Sequence, residues 1–413
     1  MAIYLACLRT GAIFVPLNTA YTKAEVDFFT ADAEPALIID GSTLTDFTEA
    51  ADQAEPWLRC EARLADDIAA IVYTSGTTGR SKGAMLTHAN LTSNALTLHA
   101  IWRFSPGDVL LHVLPIFHVH GLFVALHTAI LNASTVLFES RFDVERALAL
   151  MSEAAVMMGV PTHYIRLLAD DRLTPERCNN MRLFTSGSAP MTAGLHAEFT
   201  ERTGHQILER YGMSEAGMIT SNPYDGERIP GTVGFQLPAV SLRIVRDGSE
   251  CGPGEVGVVQ VRGPNVFAGY WRLPERTAEE YDGDWFITGD VGHLDIEGRL
   301  TLEGRSSDMI ISGGLNIYPK EIELILDAVE GVAETAVVGV PDDDLGEQVV
   351  AFVVAAEGQS VDLEAILDHA RNELAGFKIP KQLELIDALP RNSMGKVQKS
   401  LLRDPKFHKP IGP

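Results

Sequence analysis

Short apolar runs recur along this chain, most of them leading into a stretch with helical spacing, and that alternation restricts the fold more than any other feature. "AAIVYTS", "DVLLHVLP", "STVLFES", "AVMMGVP", "MRLFTSGS" and "HQILERYG" read as strands buried on both faces. "DVERALALMSEAA" and "MTAGLHAEFTERTG" space their apolar residues as amphipathic helices do. Continuous apolar strands alternating with helices predict an α/β chain with largely parallel sheets. "MAIYLACLRTGAIFVPLN" predicts a helix and then a strand, and Met1 falls inside the helical pattern with no capping residue before it. The chain is therefore expected to begin part-way through a domain.

From about Val240 the strands shorten and glycine-rich turns appear, as in "VSLRIVRDGSECGPGEVGVVQVRG", which predicts a β-rich subdomain. Past "EGRSSDMIISGGLNIYP" comes an independent unit: helix "PKEIELILDAV", strands "ETAVVGVPD" and "EQVVAFVVAAE", helix "LEAILDHARNEL". A chain of 413 residues is too long for one core. The polar, glycine-flanked turn near Gly304 to Asp308 divides it into a large N-terminal domain of several subdomains, 1–304, and a small mobile α+β C-terminal domain, 305–413.

With 56 acidic against 33 basic residues, the formal charge of -23 argues against nucleic acid and anionic membranes as partners. No apolar stretch reaches the length of a membrane span. Cys7, Cys60, Cys178 and Cys251 form no C-x-x-C pair, which suits a reducing, cytoplasmic setting. The sequence carries no signal for an oligomeric state. Any anionic ligand must be held by local cations and amides.

One loop offers them. "YTSGTTGRSKG", Tyr73 to Gly83, follows an apolar run and is expected to lead into a helix, turning backbone N–H groups and hydroxyls toward one point. Such a cradle suits phosphate, with Lys82 as a mobile charge; the plain alternative is a flexible turn. It is not a Walker A loop, because Lys82 follows Ser81 rather than glycine.

In order, the chain shows "YTSGTTGRSKGAM", "PIFHVHG", "TSGSAP", "ERYGMSEAG", "GTVG", "ITGD", "GRSSDMIISGGLNIYP" and "LPRNSMGKVQK". This series resembles the adenylate-forming superfamily of acyl-CoA synthetases, luciferases and adenylation domains. Within it, "FVPLNTAYTKAEVDFF", "GVPTHYIRLL" and "ERYGMSEAGMITSNPYDGERIPGTVG" resemble the malonyl-CoA synthetases. The family's usual segment ahead of "GAIFVPLN" has no counterpart here.

The resemblance implies two half-reactions: a carboxylate attacks the α-phosphate of ATP to give acyl-AMP and pyrophosphate, and the CoA thiol then displaces AMP. It assigns Thr74, Ser75, Gly76, Thr77, Thr78, Gly79 and Lys82 to the β and γ phosphates. Ser214 would face the α-phosphate and Glu215 a Mg2+ ion; alternatively Glu215 is a carboxylate at a helix N-terminus. Adenine would lie between "SGSAP", Ser186 to Pro190, with Ser188, Ala189 and Pro190 as its contacts, and the ring of Tyr211, followed by Gly212 and Met213, although Tyr211 alone would read as a core aromatic. Asp290 would take the ribose hydroxyls, with Arg305 beside it. Lys396 would bring positive charge to the carboxylate and α-phosphate from the mobile domain, where an isolated lysine would read as a solvated tail charge. For thioester formation that domain would rotate, and Gly313 and Gly314 would let pantetheine pass close to backbone.

A diacid such as malonate keeps a second carboxylate that needs a buried partner. Arg166 and Arg210 are the candidates, as paired, bidentate guanidinium groups. The alternatives are a helix-surface cation for Arg166 and a structural salt bridge for Arg210. His163 would assist Arg166 or cap its helix. His118 would line the wall near the carboxylate and the CoA exit, with His120 packing locally. The expected function is ligation of malonate, or methylmalonate, to CoA with ATP and Mg2+. The alternatives are another short or aryl acid, or a non-catalytic nucleotide-binding relative.

Overall fold

The computed structural model describes residues 1–74, 81–312, 315–342, 345–392 and 395–404. A thirteen-stranded sheet dominates the first three quarters of the chain. Five of the six apolar runs form its parallel part, in the order Thr135–Phe138, Val109–His112, Val156–Gly159, Leu183–Ser186, Leu208–Met213. Their apolar residues are continuous because both faces are covered. Leu110, Val156, Met158, Leu183 and Leu208 enter one core with helix His88–Ile101 and the helical stretch from His120. Their neighbours Leu111, Met157, Phe184 and Ile207 enter the other, with helices Val144–Leu150, Pro161–Leu168 and Ala193–Thr203. Alternate side chains of a strand leave by opposite faces, so one run feeds two cores.

The parallel character ends at Met213. A three-residue turn, Ser214 to Ala216, joins Leu208–Met213 to Gly217–Ser221, and strands joined that tightly pair antiparallel. The sheet continues antiparallel through Thr232–Gln236, Leu300–Arg305, Trp285–Leu294, Gly257–Arg262 and Ser241–Arg246. The β-rich part is thus an extension of the α/β sheet, not a sheet apart.

Two local expectations are corrected. The glycine-rich loop does not lead from strand into helix: it joins Ile68–Thr74 to the antiparallel strand Lys82–Thr87, with Thr74 opposite Lys82, and the helix starts at His88. In "GAIFVPLN" no strand forms. Phe14 makes one parallel bridge to Ala70, and Pro16, two residues on, has no N–H for the next rung.

The chain leaves the large sheet at Leu300–Arg305, makes the 3-10 turn Ser306–Asp308, and enters a five-stranded sheet at Ile310–Ser312. Helices Pro319–Asp327 and Leu363–Glu373 pack on that sheet through Ile322, Leu326, Ile366 and Ala370, against Val337, Val349, Ala351 and Val353. Among the described residues no helix is long and apolar enough to cross a membrane. All four cysteines are free.

Candidate active site

The hairpin turn at Ser214 and Glu215 meets the end of strand Ile68–Thr74. Thr74 Oγ1 lies 3.5 Å from Glu215 Oε1, which also accepts from the Tyr270 hydroxyl at 3.0 Å. Glu215 therefore sits in a β-turn and not at a helix N-terminus, as the alternative reading had it. It is buried, and that burial raises its pKa against the opposing effect of its hydrogen bonds, Arg305 and Lys82. No described basic side chain forms a salt bridge with it. Among the described residues no three His, Cys, Asp or Glu side chains gather as a metal site. A single hard carboxylate without a salt-bridge partner fits Mg2+, which commonly takes one or two carboxylates together with phosphate oxygens.

Lys82 Nζ pairs with Glu280 Oε1 at 3.2 Å and lies 4.1 Å from the centroid of the Tyr270 ring. Ser214 is half-buried and makes no hydrogen bond to a described residue. Ser75, Gly76, Thr77, Thr78 and Gly79 lie outside the described residues, as do Gly313 and Gly314.

Cross-strand register builds the next part. Asp290, on Trp285–Leu294, stands opposite Arg305, on Leu300–Arg305, and Arg305 Nε meets Asp290 Oδ1 at 2.7 Å. The Tyr211 hydroxyl donates to Asp290 Oδ2, which pins the ring. A carboxylate has about four lone-pair sites, so Asp290 keeps acceptors for further hydroxyls. Gly212 lies beside Tyr211, where a Cβ would stand 2.2 Å from the Gly217 carbonyl oxygen; Met213 ends the strand. Ser188 has φ +68, a conformation that a non-glycine residue holds only under constraint from its surroundings. Ala189 and Pro190 follow it in an irregular segment.

The other side of the site is built around Arg210. The residue is 2% exposed and forms no salt bridge among the described residues, so the structural salt bridge considered for it is absent. Its Nη2 contacts His120 Nε2, its Nε has no partner, and a Cβ on Gly187 would lie 2.1 Å from its Nη1. A guanidinium only donates, so His120 Nε2 accepts and the imidazole proton sits on Nδ1, 3.4 Å from Ser188 Oγ. His120 therefore does not pack locally: its partner is 90 residues away. Burial brings Arg210 down to about 10, and the group stays charged at neutral pH.

Three more imidazoles surround His120 electrostatically: His163, His112 and His118. Burial lowers each of the three to about 4, so all are neutral. His163 Nδ1 and His118 Nε2 lack hydrogen-bond partners among the described residues, and at His112 the Leu114 backbone opposes the effect of burial. His163 stacks on Phe142 at 4.1 Å instead of capping its helix. Arg166 is exposed on the helix Pro161–Leu168, and its charge acts on His163. The two arginines are thus unlike: one is buried against His120 and the other stands at the surface.

Lys396 is exposed overall, yet the protein crowds its ammonium enough to lower the pKa. Loss of water acts first and then Arg305, against the opposing pull of Asp290, Asp308 and Glu215. The C-terminal unit therefore presents this lysine to the same site. Sequence reasoning passed over Tyr270, Glu280 and His112. Tyr270 lies in "VFAGYWRLPE", where an aromatic after Ala-Gly was the available signal; Glu280 and His112 carried none.

A family model described as AMP-binding enzyme matches residues 1–271, and one for the AMP-binding enzyme C-terminal domain matches residues 321–396. The chain belongs to the AMP-binding enzyme family. It is an AMP-forming acyl-CoA synthetase, an acid–thiol ligase that uses ATP, CoA and a carboxylic acid. An indoleacetate–CoA ligase of Aromatoleum aromaticum is 36% identical, over 98% of this chain and 85% of its own length. The mitochondrial malonate–CoA ligase of Mus musculus is 34% identical, over 96% of this chain and 78% of its own. MatB from Rhodopseudomonas palustris is 49% identical over 97% of this chain and 85% of its own. Its ATP-bound structure superposes with a TM-score of 0.94 and its apo structure with 0.83, so the arrangement here is nearer the ATP-bound form.

Proposed function

We propose that this ligase joins malonate to CoA through malonyl-AMP, with methylmalonate as a second substrate. The observation that carries the reading is Arg210, a buried cation without an anionic partner among the described residues. An uncompensated buried charge is costly. A ligand with a spare carboxylate removes that cost and gains a charge-assisted hydrogen bond. His120 holds the guanidinium from one side, and His163 and His118 offer neutral donors. Arg166, being exposed, acts at the rim. The malonate–CoA ligase relative supports the same acid.

On the nucleotide side, Asp290 with Arg305 receives the ribose, and Tyr211 with Ser188, Ala189 and Pro190 receives adenine. Lys82 exchanges Glu280 for phosphate. Thr74 and Ser214 supply hydroxyls, and Glu215 with substrate phosphates holds Mg2+, which neutralises phosphate charge when bound. Lys396 stabilises the negative charge that develops as the carboxylate attacks the α-phosphate in line. The C-terminal unit then turns about Ser306–Asp308, withdrawing Lys396 and admitting the CoA thiol. A reducing, cytoplasmic compartment completes the reading.

Pyrophosphate release measured with malonate, methylmalonate, acetate, benzoate and indoleacetate tests it. Malonate should give the highest kcat/KM; faster turnover of acetate or an aryl acid overturns the malonate reading. The indoleacetate–CoA ligase relative favours an aryl acid as the second reading, and the same panel decides between them.

A further inference from the structure

The hairpin that carries Lys396 has almost no core of its own. Its arms meet in one antiparallel bridge, Arg391 with Val397, and Val397 packs at the edge of the cluster of Val338, Phe352, Leu389 and Leu402. Arg391 and Asn392 make polar contacts to the backbone of Gly395 and Lys396. Arg391 Nη1 donates to the Gly395 carbonyl oxygen at 2.6 Å. Its Nη2 donates to Glu334, on strand Val332–Asp342. At the other end of the same peptide group, the Lys396 N–H donates to Asn392 Oδ1 at 3.0 Å. The Gly395–Lys396 peptide plane is therefore held at its oxygen by Arg391 and at its nitrogen by Asn392.

Rotating that plane turns the Cα–Cβ bond of Lys396, and the long stem magnifies the turn. From backbone to ammonium is roughly 6 Å, so a tilt of about 20° moves the charge by about 2 Å. A misplacement of about 1 Å can cost about 100-fold in rate. Arg391 reaches both anchors because its planar fork separates two donors, one for the sheet and one for the hairpin. Glu334 keeps the fork oriented.

We propose that Arg391, backed by Glu334, is the positioning residue that aims Lys396 during adenylation. The inference rests on the reading of Lys396 given above. The plain alternative is a half-exposed ion pair of little consequence. The two differ in which half-reaction suffers.

The test measures ATP–pyrophosphate exchange with the best acid of the panel, and thioester formation from supplied acyl-adenylate and CoA. R391A should slow exchange 10- to 100-fold with KM for ATP and acid within two-fold, and leave thioester formation within two-fold. R391K, which keeps the charge but loses the fork, should recover part of the exchange rate. In a K396A background, R391A should change exchange by less than two-fold, because its effect runs through the lysine. Unchanged exchange in R391A, an equal fall in both half-reactions, or a further fall in the double variant overturns the proposal. If R391A does not fold, E334Q replaces it. E334Q should lose 3- to 10-fold in exchange alone, and unchanged exchange then overturns the proposal equally. K396A retaining wild-type exchange would break the Lys396 reading itself; an unaffected R391A beside an inactive K396A breaks only this inference.

Discussion

The two sides of the cleft use polar groups in opposite ways. On the side proposed for the nucleotide, polar groups are partnered within the protein: Asp290 with Arg305 and Tyr211, Lys82 with Glu280, and Glu215, which has no salt bridge, with the hydroxyls of Tyr270 and Thr74. On the side proposed for the acid several are left open. Arg210 Nε, Ser186 Oγ, Thr185 Oγ1, His118 Nε2 and His163 Nδ1 are buried without partners among the described residues. Matched groups keep their geometry whether or not ligand is present. Unmatched groups store a desolvation cost that only a polar ligand relieves. One side is built to hold its shape and the other to discriminate.

The sharpest way to break this contrast is Arg210→Met, which keeps volume and removes the charge. Removing one member of a buried charge pair costs about 3 kcal/mol, so malonate kcat/KM should fall at least about 100-fold. Acetate should change by less than about three-fold, because it has no second carboxylate to pair. An equal fall for both acids, read from pyrophosphate release, would make Arg210 a structural cation.

Asp290→Asn comes next. It removes charge from a matched cluster, so its effect should lie on ATP and not on the acid: KM for ATP up about 10-fold, with malonate KM unmoved. Tyr270→Phe is smaller. Loss of one hydrogen bond to a buried carboxylate, at about 1 kcal/mol, should slow adenylation about five-fold without changing acid preference.

The smallest expected effect on activity is that of the histidines. His112, His118 and His163 are held down to about 4 from 6.5, so malonate kcat/KM should carry no imidazole inflection near pH 6.5. Stability behaves otherwise. The folded state binds fewer protons than the unfolded between these values, so the contribution is complete above pH 6.5 and is lost as pH falls toward 4. Each imidazole contributes at most about 3 kcal/mol. Urea unfolding should show lower stability at pH 5 than at pH 7, a loss these three share with His120 and His127, which burial lowers in the same direction. An inflection in kcat/KM at 6.5 would mean that the row is open to water.

The strands of the parallel region were legible because burial on both faces writes an unbroken apolar run, as at 156–159 and 183–186. Helices such as Ala193–Thr203, Pro319–Asp327 and Leu363–Glu373 were legible from their spacing. The strand Lys82–Thr87 was not: six residues of mixed character fit either period, and pairing with Ile68–Thr74 decides between them. The β-rich character past Val240 was legible, but its pairing onto the α/β sheet was not, because sequence shows strand character and not partners. Asp290, Glu215 and Lys396 stood out only through the resemblance of their motifs to the adenylate-forming superfamily, since a lone T-G-D turn or tail lysine carries no signal of its own. The contact between His120 and Arg210 joins positions 90 apart and has no local pattern. The same holds for Tyr270 and Glu215, 55 apart.

The stretch His120–Leu126 is a π-helix that passes directly into the α-helix His127–Leu131. A π turn accommodates one residue more than an α turn. Deleting a single residue there would let the backbone relax to α pitch with both flanks kept in phase, whereas the same deletion in an ordinary α stretch would turn one flank by about 100°. His120, the first residue of the stretch, should then keep its contact with Arg210 while the downstream helix keeps its seat. The wide turn is thus a place where this backbone can shed a residue without rotating the helix on either side.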